Sequence, residues 1–429
     1  MNRARLQAHL PVLLLLIAVV FAAFGHVLSL PLWNSSAFEV LHDAEILSRD
    51  PGVMFRHVGS LVSQPLVQLL FMAEYREFGI DPTGYLAINL FIHALNAFLV
   101  YLLVNMLFER KRMAVLAALL FALTVGSYGK ILLSLANQEN LLLANLELTM
   151  LYSLIRNDYR HGGSLRSPWY ALALALFVLA GLTQPSSFSL LGCLIAYKFF
   201  FHAKRGRRAV LSADLLILVA LGIAFHVAQQ VWAKPTHIAF PDSDAPLQLT
   251  WASIKNVFRY LVLMLFPLQH SLMLSQSNPF FRAVYEGRTV IRFLLTLAII
   301  SYSFFGFVFG NRALRFFITW TFLTVVPFAF TMSHGNWLNL KHLYLVSLGF
   351  CVILAAGTTA CYDLLSHRRF RRWLPYLVPV AFMGAALVLT VKLEAQNRAH
   401  ALSPSILNLH AQLEATIAAP DADVARTPR

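Results

Sequence analysis

One polar stretch between two apolar runs carries carboxylates that could take part in proton transfer. Residues 34–83 hold seven acidic and three basic side chains, in a protein whose formal net charge is +14. The acids are Glu39, Asp43, Glu45, Asp50, Glu74, Glu77 and Asp81, and the bases are Arg49, Arg56 and Arg76. A carboxylate placed against a hydroxyl group can act as a general base. The alternative is that each is an ordinary solvated acid of a loop.

Polar side chains also recur inside two of the apolar runs. Asn89, His93 and Asn96 are spaced four and three residues apart, so they share one face of a helix. A later run carries Glu147, with Glu139 near its outer end. Ionisable groups at bilayer depth usually face a water-filled or protein-lined interior. Hydrogen bonding between helices is the structural alternative, and we favour it for the amides.

A third candidate lies immediately before a long apolar run. The segment 333–344 reads SHGNWLNLKHLY and places His334, Lys341 and His342 at the expected membrane interface. A cation at that depth can hold a lipid phosphate through a charge-assisted hydrogen bond. The alternative is that Lys341 snorkels as an interfacial anchor beside aromatic neighbours such as Tyr344.

The elements that must position these residues are membrane-spanning helices. Of the 429 residues, 58% are apolar and 13% are charged, and the mean hydropathy is +0.65. These values exclude a water-soluble globule and a disordered chain. Because a crossing takes about 20 apolar residues, we predict an all-α polytopic membrane protein with about 11 transmembrane helices, within a range of about 10 to 12. We expect one domain over residues 1–391 and a short polar tail over residues 392–429.

Basic residues between the apolar runs predict the orientation of the chain. They gather at residues 3–5, 110–112, 156–166, 204–208, 312–315 and 368–372. Such clusters stay on the cytoplasmic side, so we expect a cytoplasmic N-terminus, an outer C-terminus and an outer loop over residues 34–83. Within that loop, residues 61–75 are predicted to form an interfacial helix. Residues 251–274 are expected to lie in the interface or to re-enter, within an outer segment over residues 233–289, because a single crossing there would move a basic cluster outside.

The same distribution excludes several other functions. The basic residues lack the interleaved aromatic residues of a nucleic-acid-binding surface, so no nucleic acid partner is expected. The cysteines, Cys193, Cys351 and Cys361, lie in apolar runs without CxxC spacing, which excludes a disulfide framework and a zinc site. No cofactor is predicted. A divalent metal ion at Asp43 and Glu45 stays open, although that spacing is too common to identify a metal site.

The order of motifs over residues 65–154 resembles the membrane core of the GT-C class of glycosyltransferases. A short FG turn at residues 78–79 follows the interfacial helix, and Asn89 and His93 form an N-x3-H pattern in the next helix. Later, KHLYLVSLGF at residues 341–350 is similar to the family's RY-x-Y element. The pattern is closest to the O-mannosyltransferase-like group, whose members depend on a polyprenyl-phosphate-linked sugar.

Several positions that are charged in that family are neutral in this chain. The family has one or two aspartates just after the first helix, where this chain reads WNSSAF. An arginine and an aspartate of the family correspond to Gln138 and Asn140, and a Lys-Glu pair corresponds to Gln184 and Pro185. An active transferase of this kind therefore needs another carboxylate, and acids one to two turns beyond the first helix are the candidates.

The resemblance implies a membrane glycosyltransferase that moves a sugar from a polyprenyl-phosphate donor to an acceptor at the outer face of a bacterial inner membrane. Such a reaction needs a carboxylate for the acceptor proton and cations for the leaving phosphate. We expect Asp43 to be the base, with Glu39 and Glu45 as substitutes. The residues expected at the substrate and the lipid phosphate are Lys341, His342, Arg56, His93 and Glu139.

Two other functions stay open. A catalytically inactive GT-C-like scaffold or lipid-carrier-binding subunit would explain the neutral positions directly. A transporter or flippase is the third interpretation, but the sequence lacks the matched pair of interrupted helices that inverted repeats produce. The expected partners of the enzyme are the polyprenyl-phosphate-linked sugar, an unidentified acceptor and membrane lipids.

Overall fold

The computed structural model describes most of the apolar runs and omits several connections between them. The described residues are 3–29, 35–52, 65–124, 131–132, 134–183, 189–202, 212–232, 251–265, 279–329, 340–365, 371, 373–401, 403–404, 406–408 and 411. Four residues named in the sequence analysis, Arg56, Gln184, Pro185 and His334, lie outside this part of the chain. No strand occurs among the described residues.

The described chain is built from α-helices, which we number in order. They are α1 (Arg3–Phe24), α2 (Ser35–Arg49), α3 (Pro65–Phe78), α4 (Pro82–Phe108), α5 (Lys111–Thr124), α6 (Gln138–His161), α7 (Pro168–Thr183), α8 (Ser189–His202), α9 (Ala213–Trp232), α10 (Trp251–Leu265), α11 (Pro279–Glu286), α12 (Arg288–Phe309), α13 (Arg312–Ala329), α14 (Leu343–Leu364) and α15 (Leu377–Ala401). Short 3₁₀ turns precede α6, α14 and α15. The prediction of an all-α protein is therefore confirmed.

Six helical segments within the described residues are long and apolar enough to cross a membrane. They are Ala8–Ser29, Pro82–Phe108, Arg288–Phe309, Arg312–Ala329, Leu340–Leu364 and Leu374–Lys392. Shorter apolar segments occur in α7, α8 and α9. The prediction of an integral membrane protein is confirmed, whereas the count of about eleven crossings stays a prediction.

The outer loop of the sequence analysis contains two helices. Helix α3 covers residues 65–75 of the predicted interfacial segment, whose position in the interface stays a prediction. It ends at Phe78, before Gly79, where a φ of 58° favours glycine. Asp81 then caps α4 by accepting a hydrogen bond from the Thr83 backbone N–H at 3.0 Å, and Pro82 follows it. Helix α2 was expected only as a polar stretch, and it packs against α3.

Helix α4 lies at the centre of the molecule. It is apolar around most of its circumference, which is typical of a buried helix, and it packs against α1, α5 and α6. A second set of contacts joins α13 to α14 and α8. In this second set the indole N–H of Trp320 donates to the carbonyl of Leu345 at 3.1 Å. The core therefore holds the ends of α6 and α14 close together.

Helix α10 covers the first part of the segment expected in the interface. Its 15 residues rise about 22 Å, which is less than the roughly 30 Å of hydrocarbon in a bilayer. The Asn256 side chain donates to the Ala329 carbonyl at 3.2 Å, and Tyr260 is buried. Residues 266–278 lie outside the described part of the chain, so whether residues 251–274 cross the membrane stays a prediction.

Helix α15 extends beyond the expected start of the polar tail at residue 392. Helix α15 continues through residue 391 to Ala401. Glu394 is buried and contacts both His26 and Arg398, and Arg398 donates to the Ser29 hydroxyl at 2.8 Å. These ion pairs keep the last turns of α15 packed against the end of α1, whereas its apolar part ends at Lys392. The division of the chain at residue 391 stays a prediction.

Candidate functional site

Lys341 and Glu139 form an ion pair although they are 202 residues apart in sequence. The Lys341 Nζ lies 3.1 Å from the Glu139 Oε1, and the two side chains are 23% and 12% exposed. Lys341 belongs to the 3₁₀ turn before α14, and Glu139 lies in the first turn of α6. A carboxylate at a helix N-terminus is stabilised by the helix dipole. The structure thus brings two of the predicted binding residues together.

A small cavity of about 30 Å³ lies beside this ion pair. Residues of α6, α13 and the α14 entry line it, including Asn140, Glu147, Thr324, Phe328, Lys341, His342 and Tyr344. A cavity of this size has room for one or two water molecules. Because Lys341 is partly exposed and also lines the cavity, the site connects the protein surface to the interior.

Glu147 is the unexpected member of the cavity wall. It is 1% exposed, and neither of its carboxylate oxygens has a hydrogen-bond partner among the described residues. Burying a carboxyl group without partners is costly, and such a group inside a bundle points to a functional role. The sequence showed Glu147 on the same helix face as Asn140, but nothing in that pattern assigned it to the site.

His342 also belongs to the cavity wall. Its ring stacks on Phe328, with the ring centroids 4.0 Å apart and the planes 14° apart. Its Nδ1 is buried and has no hydrogen-bond partner within the described part of the chain. The His342 Nδ1 and the Glu147 carboxylate are thus unsatisfied polar groups around the same small cavity. This arrangement suits bound water or a polar substituent of a ligand.

His93 takes a structural position in the helix bundle. It is fully buried, with its Nδ1 2.8 Å from the Tyr344 hydroxyl and its Nε2 2.9 Å from the Ala122 carbonyl. Asn96 donates to the same Tyr344 hydroxyl at 3.0 Å and to the Leu141 carbonyl at 2.9 Å. The polar face of α4 therefore binds neighbouring helices, as expected for the amides. Because both ring nitrogens are engaged, this geometry does not support placing His93 at a lipid phosphate.

The three acids of α2 differ in their surroundings. Asp43 and Glu39 are exposed, whereas Glu45 is buried and pairs with Arg49 at 2.5 Å. Partial burial beside its neighbours raises the pKa of Asp43; nearby His42 opposes this rise and Glu39 adds to it. Helix α2 packs against α3 and the turn before α6, but none of its acids lines the cavity beside Lys341.

Glu74 on α3 is a second buried carboxyl group that the sequence did not single out. It is 3% exposed and accepts a hydrogen bond from the Gln138 side chain at 2.5 Å. Burial raises its pKa to about 8, against the smaller opposing effect of that hydrogen bond. A signal was present in the sequence, since Val67, Phe71 and Glu74 fall on one helix face.

The described residues offer little to a metal ion. They contain no group of three or more His, Cys, Asp and Glu side chains close enough to hold one. Of the pair considered from the sequence, Asp43 faces outward and Glu45 is engaged by Arg49. The described residues do not form a metal centre, so we derive no step through a metal.

Comparison with solved structures identifies the fold. AglB, an archaeal oligosaccharyltransferase from Archaeoglobus fulgidus solved in complex with an inhibitory peptide and a dolichol-phosphate, gives a TM-score of 0.54 at 14% identity over 92% of this chain. Its apo form gives 0.53 at 16% identity over 91%. The chain spans 56% of the length of that oligosaccharyltransferase. ArnT from Cupriavidus metallidurans in the apo state gives 0.48 at 14% identity, over 94% of this chain and 76% of its own.

This likeness is one of fold. No protein-family model and no curated protein matches the sequence. The similarity to AglB shows a shared fold, which agrees with the GT-C-like fold expected from the sequence. Membership of the O-mannosyltransferase-like group stays a prediction.

Proposed function

We propose that the protein is a membrane glycosyltransferase of the hexosyl type, moving a sugar from a polyprenyl-phosphate donor to an acceptor at the outer face of a bacterial inner membrane. The observation that carries this proposal is the pair of Lys341 and Glu139 beside a cavity lined by the unpaired carboxyl of Glu147. It occurs in a chain with the fold of AglB, a protein solved with a dolichol-phosphate. The proposal includes the predicted orientation, with the N-terminus in the cytoplasm and the C-terminus outside.

In this proposal, Lys341 holds the phosphate of the carrier. Its ammonium group is partly exposed and paired with the Glu139 carboxylate, and a lipid phosphate carries more charge and more acceptor oxygens than that carboxylate. The phosphate therefore displaces Glu139, which keeps Lys341 in place when the site is empty. His342 and the cavity lie next to this position, where they contact the part of the donor that enters the protein.

Asp43 is the proposed general base. Its raised pKa makes its carboxylate a stronger proton acceptor than a fully solvated aspartate. In the transfer step, the acceptor oxygen attacks the anomeric carbon of the sugar and its proton passes to Asp43. The bond from that carbon to the phosphate oxygen breaks, and the carrier leaves as the phosphate. Glu39 is equally exposed, whereas Glu45 is engaged by Arg49.

The first test compares three neutral variants in reconstituted membranes supplied with a polyprenyl-linked sugar donor. Asp43→Asn keeps the shape of the side chain but removes the proton acceptor, so transfer should fall by roughly 10² to 10⁴. Glu39→Gln and Glu45→Gln serve as matched controls and should retain most of the activity. Equal rates in all three variants would show that Asp43 is not the base.

The second test measures binding of the carrier. Lys341→Glu should abolish binding of a polyprenyl-phosphate sugar and leave insertion and folding near normal, because a second carboxylate beside Glu139 repels the phosphate. Lys255→Glu, at an exposed lysine of α10, is the control and should bind as wild type does. If Lys341→Glu binds the carrier normally, the residue is an interfacial anchor.

These two tests also separate the alternative function. A scaffold or carrier-binding subunit is favoured by the neutral residues Gln138 and Asn140 at positions where the family is charged. Such a protein would bind the carrier through Lys341 and transfer no sugar from any donor. Carrier binding without transfer in the wild-type protein would therefore replace the enzyme proposal with the scaffold.

A further inference from the structure

Helix α12 is poorly buried in the helix bundle. The apolar window of this helix is only 6% buried, compared with 61% for the segment that contains α14. Its aromatic side chains Phe304, Phe305 and Phe309 are 70%, 62% and 72% exposed. The helix packs on α10 and α13, and this arrangement leaves an open space between α12 and α14.

That space forms a groove in the membrane-embedded surface. It comprises two cavities of about 360 Å³ and 340 Å³, which share Tyr302, Ile318 and Ile353 as lining residues. Small residues of α14, including Ala356 and Gly357, make room for it. The lining is predominantly aliphatic and aromatic, so the groove suits a hydrocarbon chain.

The length of the groove corresponds to one leaflet. The α14 residues along it run from Phe350 to Ala360, and ten helical positions rise about 15 Å. This is roughly half of the 30 Å hydrocarbon core. The groove ends near the C-terminal end of α14, whereas Lys341 and the candidate site precede the N-terminal end of that helix.

The end of the groove that lies farthest from the candidate site is basic and polar. Arg110 and Asn311 line it, and Arg315 donates to the Val308 carbonyl at 2.9 Å beside it. Arg110 pairs with Asp363 at 3.1 Å, but both side chains are 61% exposed, and such a surface pair contributes little to stability. A phosphate can therefore replace Asp363 as the partner of Arg110.

We propose that this groove binds an anionic phospholipid of the cytoplasmic leaflet, with an acyl chain between α12 and α14 and the phosphate at Arg110. The basic loops at this end assign it to the cytoplasmic side, where anionic lipids concentrate. The bound chain fills the space beside α12 and so supports a helix with few protein contacts. This site is separate from the proposed catalytic site and does not depend on the transferase proposal.

Native mass spectrometry of the purified full-length protein tests the site, with phosphatidylglycerol and phosphatidylcholine added in equal amounts. The wild-type protein should retain one phosphatidylglycerol in preference to phosphatidylcholine. Arg110→Ala should lower that retention about tenfold, as expected for the loss of a charge-assisted hydrogen bond. Arg282→Ala is the matched control, because Arg282 is an exposed arginine paired with an acid at 3.3 Å in α11, away from the groove.

A filling variant tests the apolar part of the groove. Ala356→Phe should reduce retention of both lipids, whereas Leu377→Phe, at an exposed position of α15, should not. If Ala356→Phe fails to fold, Ala360→Leu at the rim provides the same test with a smaller side chain. Three results would each overturn the proposal. The folded filling variant could retain lipid as the wild type does, the wild type could retain both lipids equally, or Arg282→Ala could lose as much phosphatidylglycerol as Arg110→Ala.

One further measurement distinguishes this lipid from the carrier. Lys341→Glu should lose the polyprenyl-phosphate sugar and keep the phosphatidylglycerol. If polyprenyl phosphate displaces phosphatidylglycerol from the wild-type protein and Arg110→Ala weakens its binding, the groove belongs to the carrier and the phospholipid assignment is wrong.

Discussion

Three carboxyl groups show how the surroundings of a residue decide its chemistry. Asp43 is exposed, Glu74 is buried against Gln138, and Glu147 faces a small cavity with no hydrogen-bond partner among the described residues. Removing a carboxylate from water favours its protonated form. Among the acids of residues 34–83, Glu74 is therefore the one most strongly changed by the fold.

Glu74 should make the stability of the protein depend on pH. Its pKa is about 8 in the folded protein and lies near its ordinary value, about 4.3, in the unfolded chain. Between these pH values the folded state holds a proton that the unfolded state has released, so the stability should fall as pH rises through this range and level off above about 8. Thermal unfolding in detergent should show this slope in the wild type.

The matched variants isolate the effect of this one group. Glu74→Gln retains an oxygen that accepts from Gln138 but cannot ionise. Its melting temperature should therefore vary less than that of the wild type between about pH 5 and about pH 8, which lie near the two pKa values of Glu74. Glu77→Gln, at an exposed position on the same helix, should behave as the wild type. The same slope in Glu74→Gln and the wild type would rule out this origin.

At the scale of elements, the contact of α13 with α14 depends on the absence of a side chain. A Cβ atom at Gly349 would lie 2.1 Å from the Thr321 Oγ1 and 2.7 Å from the Phe317 carbonyl oxygen. Small residues permit such close approaches between membrane helices. This contact sets the position of α14 and therefore of Lys341 before it.

Gly349→Ala should destabilise the protein by about 1 to 3 kcal/mol, because a methyl group there must push the two helices apart. Gly384→Ala in α15 provides the control, since a Cβ atom at that position meets nothing within 4 Å. Alanine is the better helix former, so the control should be neutral or slightly stabilising. Equal melting temperatures for the two variants would contradict the close packing of α13 on α14.

The junction of α4, α5 and α14 depends on one hydroxyl group. Tyr344→Phe removes the hydroxyl group that both the His93 ring and the Asn96 amide contact in the native protein. We expect a loss of about 1 to 3 kcal/mol, the cost of unsatisfied buried polar groups. Tyr362→Phe, at a half-buried position, should change the melting temperature little, and a similar small change in Tyr344→Phe would show that the network contributes no net stability.

At the scale of the whole molecule, the distribution of charge predicts its orientation. Reporters fused after Gly163 and Asn311 should read cytoplasmic, because Arg160, Arg166 and Arg312 lie beside them. Reporters fused after residues 52 and 403 should read outside. An outside signal after Asn311 together with a cytoplasmic signal after residue 403 would mean an odd number of crossings between residues 251 and 278.

Properties that depend on local sequence were predictable from the chain alone. Hydropathy and the length of the apolar runs determine an all-α membrane protein, because the bilayer requires each crossing to satisfy its own backbone hydrogen bonds. The turn at Gly79 and the capping residue Asp81 likewise mark the end of α3 and the start of α4 through local chemistry. The continuation of α15 to Ala401 does not follow from hydropathy, because contacts with His26 and Ser29, far away in sequence, hold it.

The composition of the candidate site was decided only by the tertiary structure. Helical spacing identified a polar face containing His93 and Asn96, but it did not show whether neighbouring helices or a ligand would occupy it. Tyr344 and Ala122 occupy the His93 nitrogens because α4, α5 and α14 meet there. The pairing of Lys341 with Glu139 and the burial of Glu147 have the same origin. Periodicity specifies which residues of one helix point together, whereas the partners that they meet depend on how separate helices pack.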